Sequence, residues 1–139
     1  MAIELTRTVG FRAVHRLYRI DWTPERNRQA FGPLSDPPGH PHDYTCAVTV
    51  AGPLDPLMGM VMDLVELDRI LRDEIVTPLE GRNLNQEVAE FAAGTLPTCE
   101  SLAAWVYRRV ASRLPAGVTL ARVRVAEDAT LHADCTGLA

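Results

Sequence analysis

The sequence contains no lysine, so all 14 of its basic residues are arginine. Without a lysine amine the chain cannot form a Schiff base with a carbonyl substrate, and it lacks the lysine that a phosphate-binding loop requires. The basic residues are also outnumbered by 18 acidic ones, which gives a formal net charge of −4. This balance argues against a nucleic acid or a membrane surface as the partner.

Long apolar runs and a cysteine framework are missing as well. No run approaches the roughly 20 apolar residues of a membrane span, and residues 1–7 carry charges where a signal peptide has its apolar core. The cysteines Cys46, Cys99 and Cys135 are odd in number and widely spaced, which fits neither disulfide pairing nor a zinc knuckle. We therefore expect a soluble, cytoplasmic protein.

The order of secondary-structure signals predicts one domain, residues 1–139, of the α+β class. Alternating apolar residues predict strands at residues 3–16, 42–51, 118–127 and 130–136. Caps and apolar stripes predict a short helix at 23–31 and main helices at 63–77 and 98–114, the last capped by Thr98, while 33–38 and 79–97 are expected to be loops. The resulting order ββααββ predicts an antiparallel four-stranded sheet with both main helices on one face. The other face is then open, which favours a homo-oligomer.

Three histidines fall on strands in positions that would suit a metal ion. His40 and His42 project from one face of their strand because side chains alternate with a period of two, and His15 ends the preceding strand. If the two strands pair antiparallel, three imidazoles converge, which with one open position is the coordination of a catalytic zinc. Pro41 favours extended backbone at this point. The same features are also compatible with a plain strand edge without a metal.

Beyond these histidines, an ordered set of motifs spans nearly the whole chain: Phe11-x-Ala13-x-His15-Arg16-Leu17, Phe31-Gly32, Gly39-His40-x-His42-x-Tyr44, Gly59-Met60-Val61-x-Asp63, Asn83-Leu84-Asn85, Pro97-Thr98-x-Glu100 and Glu127. This set resembles the 6-pyruvoyl-tetrahydropterin synthase family, including the 6-carboxytetrahydropterin synthase of queuosine biosynthesis. The resemblance implies the tunnelling fold (T-fold), in which subunits join their sheets into a barrel. It also implies a trimer or hexamer with active sites between subunits.

The resemblance further implies roles for individual residues. His15, His40 and His42 match the family's zinc ligands, although Pro41 stands where the family usually has glycine. Glu100 and Glu127 match positions that hold the pterin ring, with Thr98 beside them, and a carboxylate can accept two parallel hydrogen bonds from the edge of a pterin. The alternative is that Glu100 only stabilises a helix start and that Glu127 is a surface acid.

The proton-transfer residues differ from the family pattern. Leu34 stands where the synthase register has its general-base cysteine, and Asp36 stands there in the shorter register of the queuosine enzyme. The family's Asp-His pair is replaced by Glu80-Gly81. Asp36 is the first candidate for the base, because a partly desolvated carboxylate can have its pKa raised, and Glu80 is the second. Both could instead be solvated loop acids.

The resemblance implies a zinc-dependent, pterin-handling lyase with altered proton-transfer residues, which acts on 7,8-dihydroneopterin triphosphate or a related pterin. Two alternatives stay open. One is a catalytically silent homologue that binds pterin and has a regulatory role. The other is an enzyme similar to dihydroneopterin aldolase that cleaves the unphosphorylated side chain.

Overall fold

The computed structural model describes residues 3–138. It contains four strands, β1 (Ile3–His15), β2 (His40–Gly52), β3 (Thr119–Asp128) and β4 (Leu131–Cys135), in a fully antiparallel sheet of order β1-β2-β3-β4. Its helices are α1 (Pro24–Phe31), α2 (Leu64–Leu71), α3 (Thr77–Leu79), α4 (Leu84–Glu87), α5 (Ala89–Ala92) and α6 (Cys99–Ala111). The predicted α+β class and antiparallel sheet are confirmed. No helix in the described range is long and apolar enough to cross a membrane.

Period-two alternation gives the sheet one buried face and one polar face. On β2 the buried apolar side chains are those of Tyr44, Cys46, Val48 and Val50, whereas Asp43 and Thr45 on either side of Tyr44 are exposed. Helix α6 packs across β3 and β4 and brings its own buried residues, Leu102, Val106 and Val110, into the same core. The cap predicted at Thr98 is present, since its side chain accepts a hydrogen bond from the Ser101 backbone N–H at 3.1 Å.

Two local predictions in the middle of the chain were wrong. The second helical region does not end at Thr77-Pro78, because a π-helical segment (Arg72–Val76) leads into α3, which ends at Leu79. Pro78 has no N–H, so it cannot bond the Glu74 carbonyl one turn earlier; the Arg109 Nε of α6 donates to that oxygen instead at 3.1 Å. Tertiary packing therefore supplies the bond that the local sequence lacks.

The other wrong prediction concerns residues 79–97, which are not mostly loop. They contain the short helices α4 and α5, which bury Leu84 and Phe91 in the core. The start of α4 is fixed by the Glu87 carboxylate, which accepts a hydrogen bond from the Asn83 backbone N–H at 2.6 Å. A four-residue helix is too short to produce a periodic apolar pattern, so sequence periodicity could not identify it.

Candidate metal centre

The register between β1 and β2 brings the three predicted imidazoles together. His15 on β1 lies directly opposite His40 on β2. Two residues further along the pair, Ala13 lies opposite His42. The three rings sit at centroid distances of 4.7–5.0 Å, and one nitrogen from each lies within 4.8 Å of the others. The cluster is therefore produced by strand pairing and by the alternation of side chains.

The His15 ring is held in a single orientation by the chain segment before α6. Its side chain is buried, and Nδ1 lies 2.7 Å from the carbonyl oxygen of Pro97, to which it donates. With the proton on Nδ1, Nε2 of the neutral ring presents a lone pair towards the other two histidines. A backbone carbonyl that fixes the tautomer in this way is the usual support of a metal-binding histidine.

The His42 ring supplies the most direct sign that the cluster suits a cation. Its Nε2 is buried and has no hydrogen-bond partner in the described part of the chain. The nearest charged atom, Oε2 of Glu127, is only 2.8 Å away, but it is not aligned for a hydrogen bond with that nitrogen. Buried polar atoms are seldom left unpaired, so the donor set fits a metal ion at this point.

Burial keeps two of the imidazoles neutral. Desolvation is the main cause that lowers the pKa of His15 to about 4, against the opposing effect of the Pro97 hydrogen bond, and it also lowers the pKa of His40. Metal ligation requires unprotonated imidazole, so the site is poised to bind a cation at neutral pH.

The lowered pKa of His15 predicts an acid-sensitive fold in the metal-free protein. Between about pH 6.5 and 4 the unfolded state binds a proton that the native state does not, so the free energy of unfolding falls as the pH is lowered across this window. From the shift, the loss attributable to His15 is about 3 kcal/mol. Urea unfolding in the presence of a chelator at several pH values measures it. The His15→Gln variant should show a flatter pH profile, and an equal slope in both proteins would contradict the assignment.

Glu127 lies at an irregularity at the end of β3. Ala126 pairs with His132 and Asp128 pairs with Leu131, so Glu127 has no partner residue on β4. It continues the inward-facing series of β3 after Val125, and its side chain reaches the histidines while only 15% of it is exposed. Bulges of this kind commonly re-aim a side chain at a functional site.

Around Glu127 the core contributes two further ionisable groups, both kept neutral. Burial, aided by the negative charge of Glu127, raises the pKa of the Cys99 thiol to about 11 and raises that of the Tyr44 phenol as well. The Tyr44 hydroxyl has no hydrogen-bond partner in the described residues. A thiol with a raised pKa is a poor base at neutral pH, so Cys99 is poorly suited to replace the cysteine of the family pattern.

Two of the residues expected to hold the pterin ring, Thr98 and Glu100, lie at the start of α6. Glu100 lies in the first turn and is exposed, and the hydroxyl of Thr98 is engaged in capping the helix. The helix dipole favours the negative charge of the Glu100 carboxylate in this first turn. Glu100 is thus free to contact a ligand, whereas Glu127 contacts the imidazoles.

The two predicted bases lie away from the histidine cluster within one chain. Asp36 pairs with Arg28 across the exposed loop after α1, and Leu34 in the same loop is 46% exposed. Glu80 accepts a hydrogen bond from the Arg12 backbone N–H at 2.7 Å, where the segment after Glu80 is also bonded to β1 by the Gly81 N–H to the Arg12 carbonyl. The structure therefore brings neither carboxylate to the cluster, and their catalytic roles stay predictions.

Sequence reasoning did not identify two features that shape the centre. One is the Pro97 carbonyl, for which a sequence gives no signal because any residue supplies one. The other is Gly39, which has φ of +113° and lies so close to β1 that a Cβ atom would stand 2.6 Å from the His15 carbonyl oxygen. A glycine directly before a ligand histidine was the available signal.

The sheet topology and the helices packed on one face define the chain as a T-fold protein. A Caenorhabditis elegans 6-pyruvoyl tetrahydropterin synthase structure is similar with a TM-score of 0.91 and 28% identity, covering 99% of this chain and 97% of that one. The family described as 6-pyruvoyl tetrahydropterin synthase matches residues 4–137, and the human 6-pyruvoyl tetrahydrobiopterin synthase is 38% identical over 124 residues, 89% of this chain and 84% of the human one. The chain therefore belongs to the 6-pyruvoyl tetrahydropterin synthase family.

A relative with a different activity also matches. The dihydroneopterin monophosphate aldolase of Pyrococcus furiosus is 33% identical over 88 residues, which is 63% of this chain and 69% of that protein. The names of the human and the Pyrococcus relatives both refer to pterin compounds, but they specify different reactions.

Proposed function

We propose that the chain is a zinc-dependent lyase that acts on 7,8-dihydroneopterin triphosphate or a related pterin. The single observation that carries the proposal is the convergence of His15, His40 and His42, with the first ring fixed by Pro97 and the third left with a buried, unpaired nitrogen. Membership of the synthase family supports the pterin as substrate.

The role of each group in the proposed reaction follows from its chemistry. The three imidazoles would hold the ion, and Glu100 would accept the paired N–H donors at the edge of the pterin ring. Bound zinc would act as a Lewis acid that makes protons near the oxygens of the substrate side chain easier to remove. A general base is then needed to accept a proton from a side-chain carbon.

We keep Asp36 as the first candidate for that base and Glu80 as the second. Asp36 lies four residues before His40 in the chain, in a loop whose ion pair with Arg28 joins two largely exposed side chains. Exposed pairs of this kind contribute at most about 1 kcal/mol, so releasing the carboxylate towards a substrate costs little. Glu80, which is exposed and held against the backbone of β1 by the Arg12 N–H, would act across an interface in the trimer or hexamer that we also propose. The cytoplasmic location stays a prediction.

A second candidate is side-chain cleavage of the aldolase type. It is favoured by the match to the Pyrococcus aldolase and by Leu34 and Gly81, which stand where the synthase pattern has cysteine and histidine. A third candidate function is that of a catalytically silent homologue that binds pterin. The residues at the same two positions, Leu34 and Gly81, also favour it.

A turnover assay with the zinc-loaded protein separates the three. We expect loss of triphosphate from 7,8-dihydroneopterin triphosphate, with activity lost in Asp36→Ala but kept in Asp68→Ala, a half-exposed carboxylate on α2 that also pairs with an arginine, Arg7. Cleavage only of the unphosphorylated or monophosphorylated side chain would favour the aldolase. Binding of the pterin ring without formation of any product would favour the silent homologue. Normal turnover by Asp36→Ala would remove Asp36 as the base.

A further inference from the structure

We propose that the cavity beside the end of β1 is a phosphate subsite, in which Arg16 and Arg28 bind the triphosphate chain of the substrate. The inference rests on the proposed function and deepens it, because it names the residues that distinguish a triphosphorylated pterin from an unphosphorylated one. The cavity is separate from the three-histidine cluster, and none of the histidines lines it.

The cavity lies between the end of β1, helix α1 and the loop that leads to β2. Its volume is about 370 Å³, which is in the range of sites for small molecules. Its charged lining residues are Arg16, Arg28 and Asp36, so the lining carries a net positive charge although the whole chain has a formal charge of −4. A concave surface of this sign attracts an anion.

Arg16 carries a guanidinium that no carboxylate neutralises in residues 3–138. Most arginines of this range form an ion pair, but Arg16 forms none, and its Nε is buried without a hydrogen-bond partner. Buried polar groups are seldom left unpaired. The guanidinium carbon lies 3.8 Å from the centroid of the Tyr18 ring, and this stacking leaves the N–H edge available for the oxygens of a phosphate.

The backbone of Arg16 is fixed, and its polar neighbours in the cavity already have partners. Asn85 accepts a hydrogen bond from the Arg16 backbone N–H at 2.9 Å and donates one to the Arg16 carbonyl at 3.0 Å. Asn27 bonds to the backbone of Arg19 in the same two directions, and the Ser35 hydroxyl donates to a backbone carbonyl. The two arginines are therefore the groups that remain to bind a ligand.

The cavity is close enough to the histidines for one ligand to reach both. Arg16 directly follows His15 in the chain, and Pro37, which also lines the cavity, stands three residues before His40. Three residues span at most about 11 Å even when fully extended. A substrate whose side-chain oxygens lie at the metal therefore needs only its phosphate chain to reach the arginines.

Phosphate binding would also change the partner of Asp36. In the structure Asp36 pairs with Arg28, whose side chain is 64% exposed. A phosphate group carries more negative charge than a carboxylate and presents three acceptor oxygens, so it would compete for Arg28 and repel Asp36. The carboxylate that we propose as the first candidate base would then be released when a phosphorylated substrate binds.

Binding of inorganic triphosphate to the zinc-loaded protein, measured by isothermal titration calorimetry, tests the subsite without any turnover. We expect Arg16→Gln and Arg28→Gln each to weaken binding by at least about tenfold, since each removes a charge-assisted contact. The matched control is Arg7→Gln, because Arg7 is exposed and also pairs with an aspartate; its affinity should be unchanged. Urea unfolding checks that each variant folds, which is expected because Asn85 holds only the backbone of Arg16.

A variant without the metal centre is also needed, because inorganic triphosphate can bind zinc. His42→Ala should keep the wild-type affinity for triphosphate if the anion binds at the arginines. Lost binding in His42→Ala, with unchanged binding in Arg16→Gln and Arg28→Gln, would place the anion on the metal and overturn the subsite. No binding to the wild type, or equal weakening in Arg7→Gln, would overturn it as well.

Two pterins then identify the source of the anion. Wild type should bind 7,8-dihydroneopterin triphosphate at least about tenfold more tightly than 7,8-dihydroneopterin, and Arg16→Gln should abolish this difference without changing the affinity for the unphosphorylated compound. Equal affinity of the wild type for both pterins would overturn the subsite. Triphosphate binding at the arginines without binding or turnover of any pterin would contradict the proposed function, and it would make another phosphate compound the ligand of this cavity.

Discussion

His42→Ala should lower zinc affinity by at least about 100-fold and abolish turnover. Metal affinity falls by about 10- to 100-fold when only a supporting residue is lost, so removal of a ligand itself should do more. The variant should nevertheless fold in chelator, because the alanine removes a nitrogen that has no hydrogen-bond partner in the described residues. The affinity is measured by chelator competition and the fold by urea unfolding.

The chain supplies a matched control for this experiment. His132, the remaining histidine, lies exposed on β4 opposite Ala126 and outside the cluster, so His132→Ala should retain zinc affinity and turnover. If His42→Ala binds zinc as well as His132→Ala does, the ligand assignment is wrong.

Gly39→Ala should disrupt the metal centre, although Gly39 is not itself a ligand. A Cβ atom at this residue would lie 2.6 Å from the carbonyl oxygen of His15 and 2.9 Å from its carbonyl carbon, and both are backbone atoms that cannot move aside easily. The positive φ of +113° adds strain for any residue other than glycine. We expect a loss of at least about 2 kcal/mol in the free energy of unfolding together with weaker zinc binding, since His15 and His40 are pushed apart.

Gly59→Ala separates the effect of contact from that of backbone strain. Gly59 also has positive φ, +68°, but a Cβ atom there would meet nothing within 4 Å. Its cost should be about 1 kcal/mol, without any change in zinc affinity. Equal effects of the two substitutions on zinc binding would show that the close approach of Gly39 to β1 has no role in positioning the ligands.

The features that were predictable from the sequence are those governed by periodicity. Alternation located the four strands, and the position of His15, His40 and His42 on the inward series was enough to expect convergence once the first two strands pair. The register itself, with His15 opposite His40, agrees with that expectation. The cap at Thr98 was predictable for a similar reason, because helix starts carry a local signal.

The rest depends on contacts between residues distant in sequence. The continuation of the helical region past Pro78 needs Arg109 from α6, 31 residues later in the chain. Alternation places Glu127 on the inward face after Val125, but its contact with the histidines also needs the pairing of β2 with β3, which brings Ala126 opposite Thr45. The general base is the least predictable, because Asp36 and Glu80 are loop or edge carboxylates whose partners in one chain are Arg28 and the Arg12 backbone.

The most direct test of the account is a crystal structure of the zinc-loaded protein with diffraction data collected at the zinc absorption edge. The account predicts one anomalous peak per chain, about 2.0–2.1 Å from a nitrogen of each of His15, His40 and His42. A zinc-supplied crystal with no peak among these three rings, or with its zinc bound elsewhere, would contradict it.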